Sequence, residues 1–238
     1  MSQDPARPAS SALPDSGGPK TLAEHAYLRL RHDIVTGRHP PGSKLRVEHL
    51  REEYQVGAGT LREALLLLVT DALVTVQGQR GFRVAPISLD DFEDITRVRV
   101  VLETEALGLS IEHGDEVWEA SAVAAFHRLT RVEERLHQGD VGFDEWEARN
   151  RAFHTSLLAA CPSRWTLHFL SVLYQQSERY RRLVLLDTTV PRDVHAEHAA
   201  LLEASIRRDR QAACQILDRH IRTTLEVIRQ LPASRFGE

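Results

Sequence analysis

Apolar residues first recur at helical spacing at Leu22, Ala26, Leu30 and Ile34, behind Thr21-Leu22-Ala23-Glu24, a capping box that opens a helix. Gly37 closes that helix, and Pro40-Pro41-Gly42 imposes a turn. A short second helix is predicted over 47–54, carrying Leu50. A tight turn at Gln55-Val56-Gly57 leads to a third helix over 59–70, with Leu61, Ala64, Leu65 and Leu68 inward. Thr60 and Glu63 have capping-box spacing at its start. The pattern then becomes that of strands, with Leu73-Val74-Thr75-Val76 and Phe82-Arg83-Val84 flanking a turn at 77–81 that holds Gly78 and Gly81. Helix, tight turn, helix and two-strand ribbon is the layout of a winged helix-turn-helix.

Beyond Val84 the pattern is helical throughout. A long helix is predicted from Ser88-Leu89-Asp90-Asp91 to Gly114, with Phe92, Ile95, Leu102, Ala106 and Leu109 inward. Five more helical segments follow, over 116–137, 144–160, 165–186, 195–208 and 210–231, and Pro232 ends the last. The expected fold is mainly α. A winged helix-turn-helix domain at 20–86 precedes an all-helical bundle at 87–232, of ordinary domain size. Residues 1–19, rich in Pro, Ser, Ala, Gly and Asp, are expected to be a disordered tail, and 233–238 a second tail.

Composition changes this picture little. The 238 residues are 42% hydrophobic and 27% charged, ordinary for a globular protein. The two cysteines, Cys161 and Cys214, do not make a disulfide framework and are read as free thiols. With no apolar run of membrane length and no apolar signal core at the start, a cytoplasmic protein is expected. The net charge of −4 is uneven. Residues 20–86 carry ten basic against seven acidic side chains, and those from Ile87 onward nineteen against twenty-five. A basic front half on an acidic back half suits a DNA-binding module joined to something else.

Two sets of residues carry candidate chemistry. The first turn of a recognition helix faces base edges. There Thr60 can bond a phosphate or a base, and Arg62 can contact guanine bidentately. Lys44, Arg46 and Arg51 are candidates for the phosphate backbone, and the wing tip offers Gln79 and Arg80. The second set lies in the bundle. Asn150 and His154 are four apart on one helix face, and His198 and His220 come from two later apolar-periodic helices. Three imidazoles converging in a bundle can hold a divalent cation. The other histidines, including His39 and His195, fit no such set. No carboxylate has an evident general-base position beside the three.

Together these residues resemble the GntR family of bacterial transcription factors, nearest to its FadR-type subfamily with the helical FCD domain. The resemblance runs from Thr21 to Leu231. It rests on Pro41-Gly42-Ser43-Lys44-Leu45, Leu61-Arg62-Glu63-Ala64-Leu65, Arg80-Gly81-Phe82-Arg83-Val84-Ala85-Pro86, Arg99 with Leu102-Glu103, Asn150 to His154, Glu197-His198 and Arg219-His220. It implies a homodimer on palindromic double-stranded operator DNA. It also implies a small effector, often a carboxylate, in the helical domain, and a metal such as zinc or nickel held by one Asp and three His. His154, His198 and His220 match the histidines, and Arg99 matches a pocket arginine. Asn150 stands where the Asp is usual.

An amide is a weaker ligand than a carboxylate for a hard cation. The expectation is therefore a carboxylate effector completing the coordination at Asn150, His154, His198 and His220, with Arg99 on its free oxygen. Gly57-Ala58 also stands where the family often has Ser or Thr followed by Arg, so Arg62 and the wing carry more of the base reading. The function expected is a ligand-responsive transcriptional regulator, a repressor of a metabolic operon. The alternatives are a metal-dependent hydrolase, since three His around a cation can activate water, and an effector-independent DNA-binding protein.

Overall fold

The computed structural model describes residues 21–78, 81–138, 140–185 and 192–236. The tail expected at 1–19 and the wing-tip residues Gln79 and Arg80 lie outside them. Helix α1 (Leu22–Val35) begins as its capping box requires, with Thr21 Oγ1 accepting from the Glu24 amide at 3.0 Å. Its buried face is Ala23, Ala26, Leu30 and Ile34. Leu22, expected on that face, is 72% exposed, because the inward stripe enters the first turn through Ala23. Helices α2 (Val47–Tyr54) and α3 (Ala58–Thr70) are joined by a turn in which Gln55 takes a left-handed conformation. Leu61, Ala64, Leu65 and Leu68 are buried against Leu30 and Leu50, as their spacing requires.

Two local expectations are corrected here. Helix α3 starts at Ala58 behind Gly57, which offers no side-chain cap, so Thr60 sits inside the first turn rather than capping it. The wing is a three-stranded sheet, not a two-strand ribbon. Strand β1 (Lys44–Leu45) pairs antiparallel with β3 (Phe82–Val84), which also pairs with β2 (Val74–Val76). Arg83 braces this sheet by donating to the Gly42 carbonyl at 2.6 Å and to Gln77 Oε1 at 2.9 Å.

The second unit comprises α4 (Leu89–His113), α5 (Glu116–Gln138), α6 (Phe143–Leu157), α7 (Arg164–Leu185), α8 (Val194–Ile206) and α9 (Arg210–Ile228). No helix among the described residues is long and apolar enough to cross a membrane. Leu107, Leu129, Phe153, Leu170 and Leu201 are fully buried at its centre. The inward stripe of α4 is not purely apolar. It contains Thr96, Arg99, Glu103 and Ser110, while Leu102 and Leu109 are only partly buried.

Helix α7 joins the two units. Its Gln176 Nε2 donates to the Asp71 carbonyl at 2.6 Å, and its Arg179 to the Ala85 carbonyl at 2.5 Å. Arg31 of α1 donates to Gln175 Oε1 at 3.1 Å and pairs with Glu178 at 3.4 Å. Below this seam, Phe92 stacks on Tyr180 with ring centroids 4.5 Å apart. Ala233–Phe236, expected to be tail, forms a 3₁₀ turn that buries Phe236 against this cluster with Ile87 and Ile228. Phe236→Ala is expected to reduce unfolding free energy by about 3 kcal/mol in urea titration, the range for emptying a buried aromatic site. A loss below about 1 kcal/mol would show that the turn is not part of the core.

Candidate DNA-reading face and histidine pocket

The front face gathers several of the expected contact residues. Lys44, Arg46, Arg62, Gly78 and Gly81 line one open cleft of about 450 Å³ between strand β1, the first turn of α3 and the base of the wing. Arg51 and Thr60 do not line it; Arg51 is exposed on α2 and Thr60 half-buried on α3. Lys44, Arg46, Arg51 and Arg62 are exposed and form no ion pair with the described residues. Exposed cations without an internal ion pair are available for phosphates and base edges. Asp33, His39 and Glu53 also approach one another, but Arg38 pairs with both carboxylates. Tyr54 also donates to Asp33 at 2.5 Å, so this cluster is an internal polar network.

The three expected histidines meet in the bundle. His154 comes from α6, His198 from α8 and His220 from α9, and one ligand nitrogen of each lies within 4.8 Å of the others. His154 Nε2 and His198 Nε2 are 3.3 Å apart. Two nitrogens bonded to one tetrahedral zinc at roughly 2.0–2.1 Å are separated by about that distance. His198 is fully buried, and the His220 side chain is 11% exposed. Burial drives the His154 imidazole well below its ordinary pKa, and His198, His220, Arg99 and Arg181 push the same way. Burial likewise brings His220 to about 3 despite the opposing pull of Glu197. Neutral imidazoles are the form that binds a cation, so this donor set fits a divalent ion. Asn150 is buried one turn before His154 on the same helix.

The surroundings add three features to this set. Carboxylates do stand beside the histidines. Glu197 Oε2 accepts from His220 Nδ1 at 2.7 Å, and Glu133 Oε1 lies 3.8 Å from His198 Nδ1. Burial raises the Glu197 carboxyl, but hydrogen bonds from Arg192 and His220 outweigh it and hold it at about 2. His195, read as unconnected, approaches Glu133 Oε2 through Nδ1 at 2.7 Å. Arg99, expected to face an effector carboxylate, donates through Nε to Glu103 at 2.6 Å and lies over the Tyr174 ring. Tyr174 in turn donates to the other Glu103 oxygen at 2.7 Å. A further buried pair escaped the sequence reading entirely. Arg181 on α7 binds both oxygens of Glu147, one turn before Asn150 on α6 and two before His154. The only hint in the sequence was the helical spacing of Glu147, Asn150 and His154.

Residues 22–84 match the family of bacterial regulatory proteins designated gntR, and residues 94–223 match the FCD domain. The chain is 47% identical over 212 residues to an uncharacterized HTH-type transcriptional regulator, BphR, of Paraburkholderia xenovorans, covering 89% of this chain and 86% of that one. It is 36% identical over 211 residues to the HTH-type transcriptional repressor GlaR of Escherichia coli, covering 87% and 96%. Its fold is similar to that of E. coli McbR/YncC, with a TM-score of 0.73 at 20% identity over 88% of this chain and 98% of that one.

The Glu147–Arg181 pair generates its own test. Glu147→Gln strands a buried guanidinium and is expected to cost about 3 kcal/mol in urea unfolding, whereas Glu147→Leu with Arg181→Met should recover most of the loss. Equal stability of Glu147→Gln and wild type would show that the pair is not buried in solution.

Proposed function

Because the chain belongs to the GntR family of bacterial regulatory proteins and carries an FCD domain, we propose that this DNA-binding transcriptional regulator is a ligand-responsive repressor of a metabolic operon. It works as a homodimer of the FadR type, with a DNA-binding unit at 20–86 and an effector unit at 87–232. Arg62 and Thr60 read base edges, while Lys44, Arg46 and Arg51 hold phosphates, with Gln79 and Arg80 at the wing tip. The family and its relatives are regulators rather than enzymes, so the hydrolase reading is set aside.

Asn150, His154, His198 and His220 hold a divalent cation, zinc or nickel. A bound cation supplies a Lewis-acidic position for an anionic oxygen, and a small carboxylate is the effector class that such a position favours. Arg99 is already satisfied by Glu103, so it meets the effector only by sharing its remaining N–H groups. The observation that carries this reading is the placement of α7. One stretch of it touches the DNA-binding unit through Gln175, Gln176, Glu178 and Arg179, and the same stretch reaches the pocket helix through Arg181 and Glu147. Movement of α6 around the effector is thereby passed to the winged unit. The spacing of two such units in the dimer then fits or misses half-sites about 34 Å apart.

A gel shift on DNA from the regulated promoter, with stripped protein, zinc or nickel, and a panel of small carboxylic acids, tests this. DNA affinity is expected to change at least tenfold with some acid, and only on cation-loaded protein. Arg62→Ala is expected to weaken specific binding roughly 5–150-fold, and Lys44→Ala to lower the salt slope by about 1. Binding that ignores every acid and both metals would overturn the ligand-responsive reading and leave an effector-independent DNA-binding protein.

A further inference from the structure

Among the described residues, two buried polar atoms facing each other, Glu133 Oε1 on α5 and His198 Nδ1 on α8, have no hydrogen-bond partner. They are 3.8 Å apart, so a slide of the imidazole by less than an ångström would close an ordinary N–H···O contact. His198 Nε2 points the other way, to within 3.3 Å of His154 Nε2. Across the pocket, Glu197 already holds Nδ1 of His220 in the corresponding way, at 2.7 Å. The two carboxylates thus stand on the outer nitrogens of two of the three inward-facing histidines.

Their electrical situations differ. Glu197 is neutralised by Arg192, which donates to both of its oxygens at 2.8 and 2.6 Å and also reaches the His220 carbonyl. Glu133 has no arginine or lysine paired with it among the described residues. Its other oxygen faces His195. The inner set of Asn150 and three imidazoles carries no negative charge. A divalent cation there needs compensation from nearby, and the unspent carboxylate is Glu133.

We propose that Glu133 is the charge-compensating positioning residue of the cation site, fixing His198 with Nε2 inward and replacing from outside the negative charge that Asn150 does not provide. Glu197 orients His220 without adding net charge, because Arg192 cancels it. The inference rests on the cation reading above. It adds that the absence of an inner carboxylate is made good through α5, a helix that contributes no ligand.

Competition between a fluorescent chelator and the full-length, metal-stripped protein for zinc tests this. Wild type should take up one zinc per chain. Glu133→Gln keeps the shape and a hydrogen-bond acceptor but removes the charge, and is expected to weaken zinc binding 10–100-fold. Glu133→Asp should recover part of that loss. Leu129→Ala, which empties a core position one turn away on α5, should lower the melting temperature while leaving zinc affinity within about threefold. Wild-type affinity in Glu133→Gln would overturn the inference while the cation reading stands. A wild-type protein that takes up no zinc or nickel would overturn both. Equal weakening by Leu129→Ala and Glu133→Gln would overturn it too, by assigning Glu133 a merely structural role.

Discussion

Buried charges on α7 are paired on both sides, with the winged unit and with the pocket helix. Glu178 and Arg179 are desolvated at the seam with the winged unit, where their partners are Arg31 and a backbone carbonyl. Arg181, two residues on, is paired with Glu147 beside the histidines. A buried charge that loses its partner costs several kcal/mol. Displacing α7 from either side would leave such a charge with fewer partners. One helix thus carries side chains that reach both the winged unit and the pocket helix.

The pocket has a complementary constraint. Three imidazoles converge with carboxylates behind two of them, and burial pushes His154 and His220 toward the neutral form. Such an arrangement is poor as a hydrophobic core and poor as a hydrogen-bond network. A cation bound at the point of convergence would satisfy all three nitrogens at once. Arg99, Glu103 and Tyr174 close one side of the site with a self-satisfied network.

The winged unit was largely legible in the sequence, because Gly37, Pro41, Gly42, Gly57 and the alternation after Leu73 punctuate it strongly. Helix ends in the bundle fell within a few residues of those expected, since caps such as Ser88 and breakers such as Gly114 and Pro162 are local signals. Strand β1 escaped because two residues carry no alternation, and its existence depends on the return strand of the wing. The three histidines were legible as a candidate set from their helical spacing, which the family resemblance strengthened. Glu133, Glu147 and Arg181 were not legible, because each matters through a partner 34 to 65 positions away, which only tertiary packing reveals. Arg99 was found, but its internal partner Glu103 was not. Its i, i+4 spacing to Glu103 was the available clue.

Amide hydrogen exchange of the full-length protein, stripped and then loaded with zinc, reads the proposed link through α7 directly. Loading is expected to slow exchange in α6, α8 and α9, in residues 175–182 of α7, and at the end of α3 beside Asp71. Slowing confined to the pocket helices, with α7 and the winged unit unchanged, would contradict it.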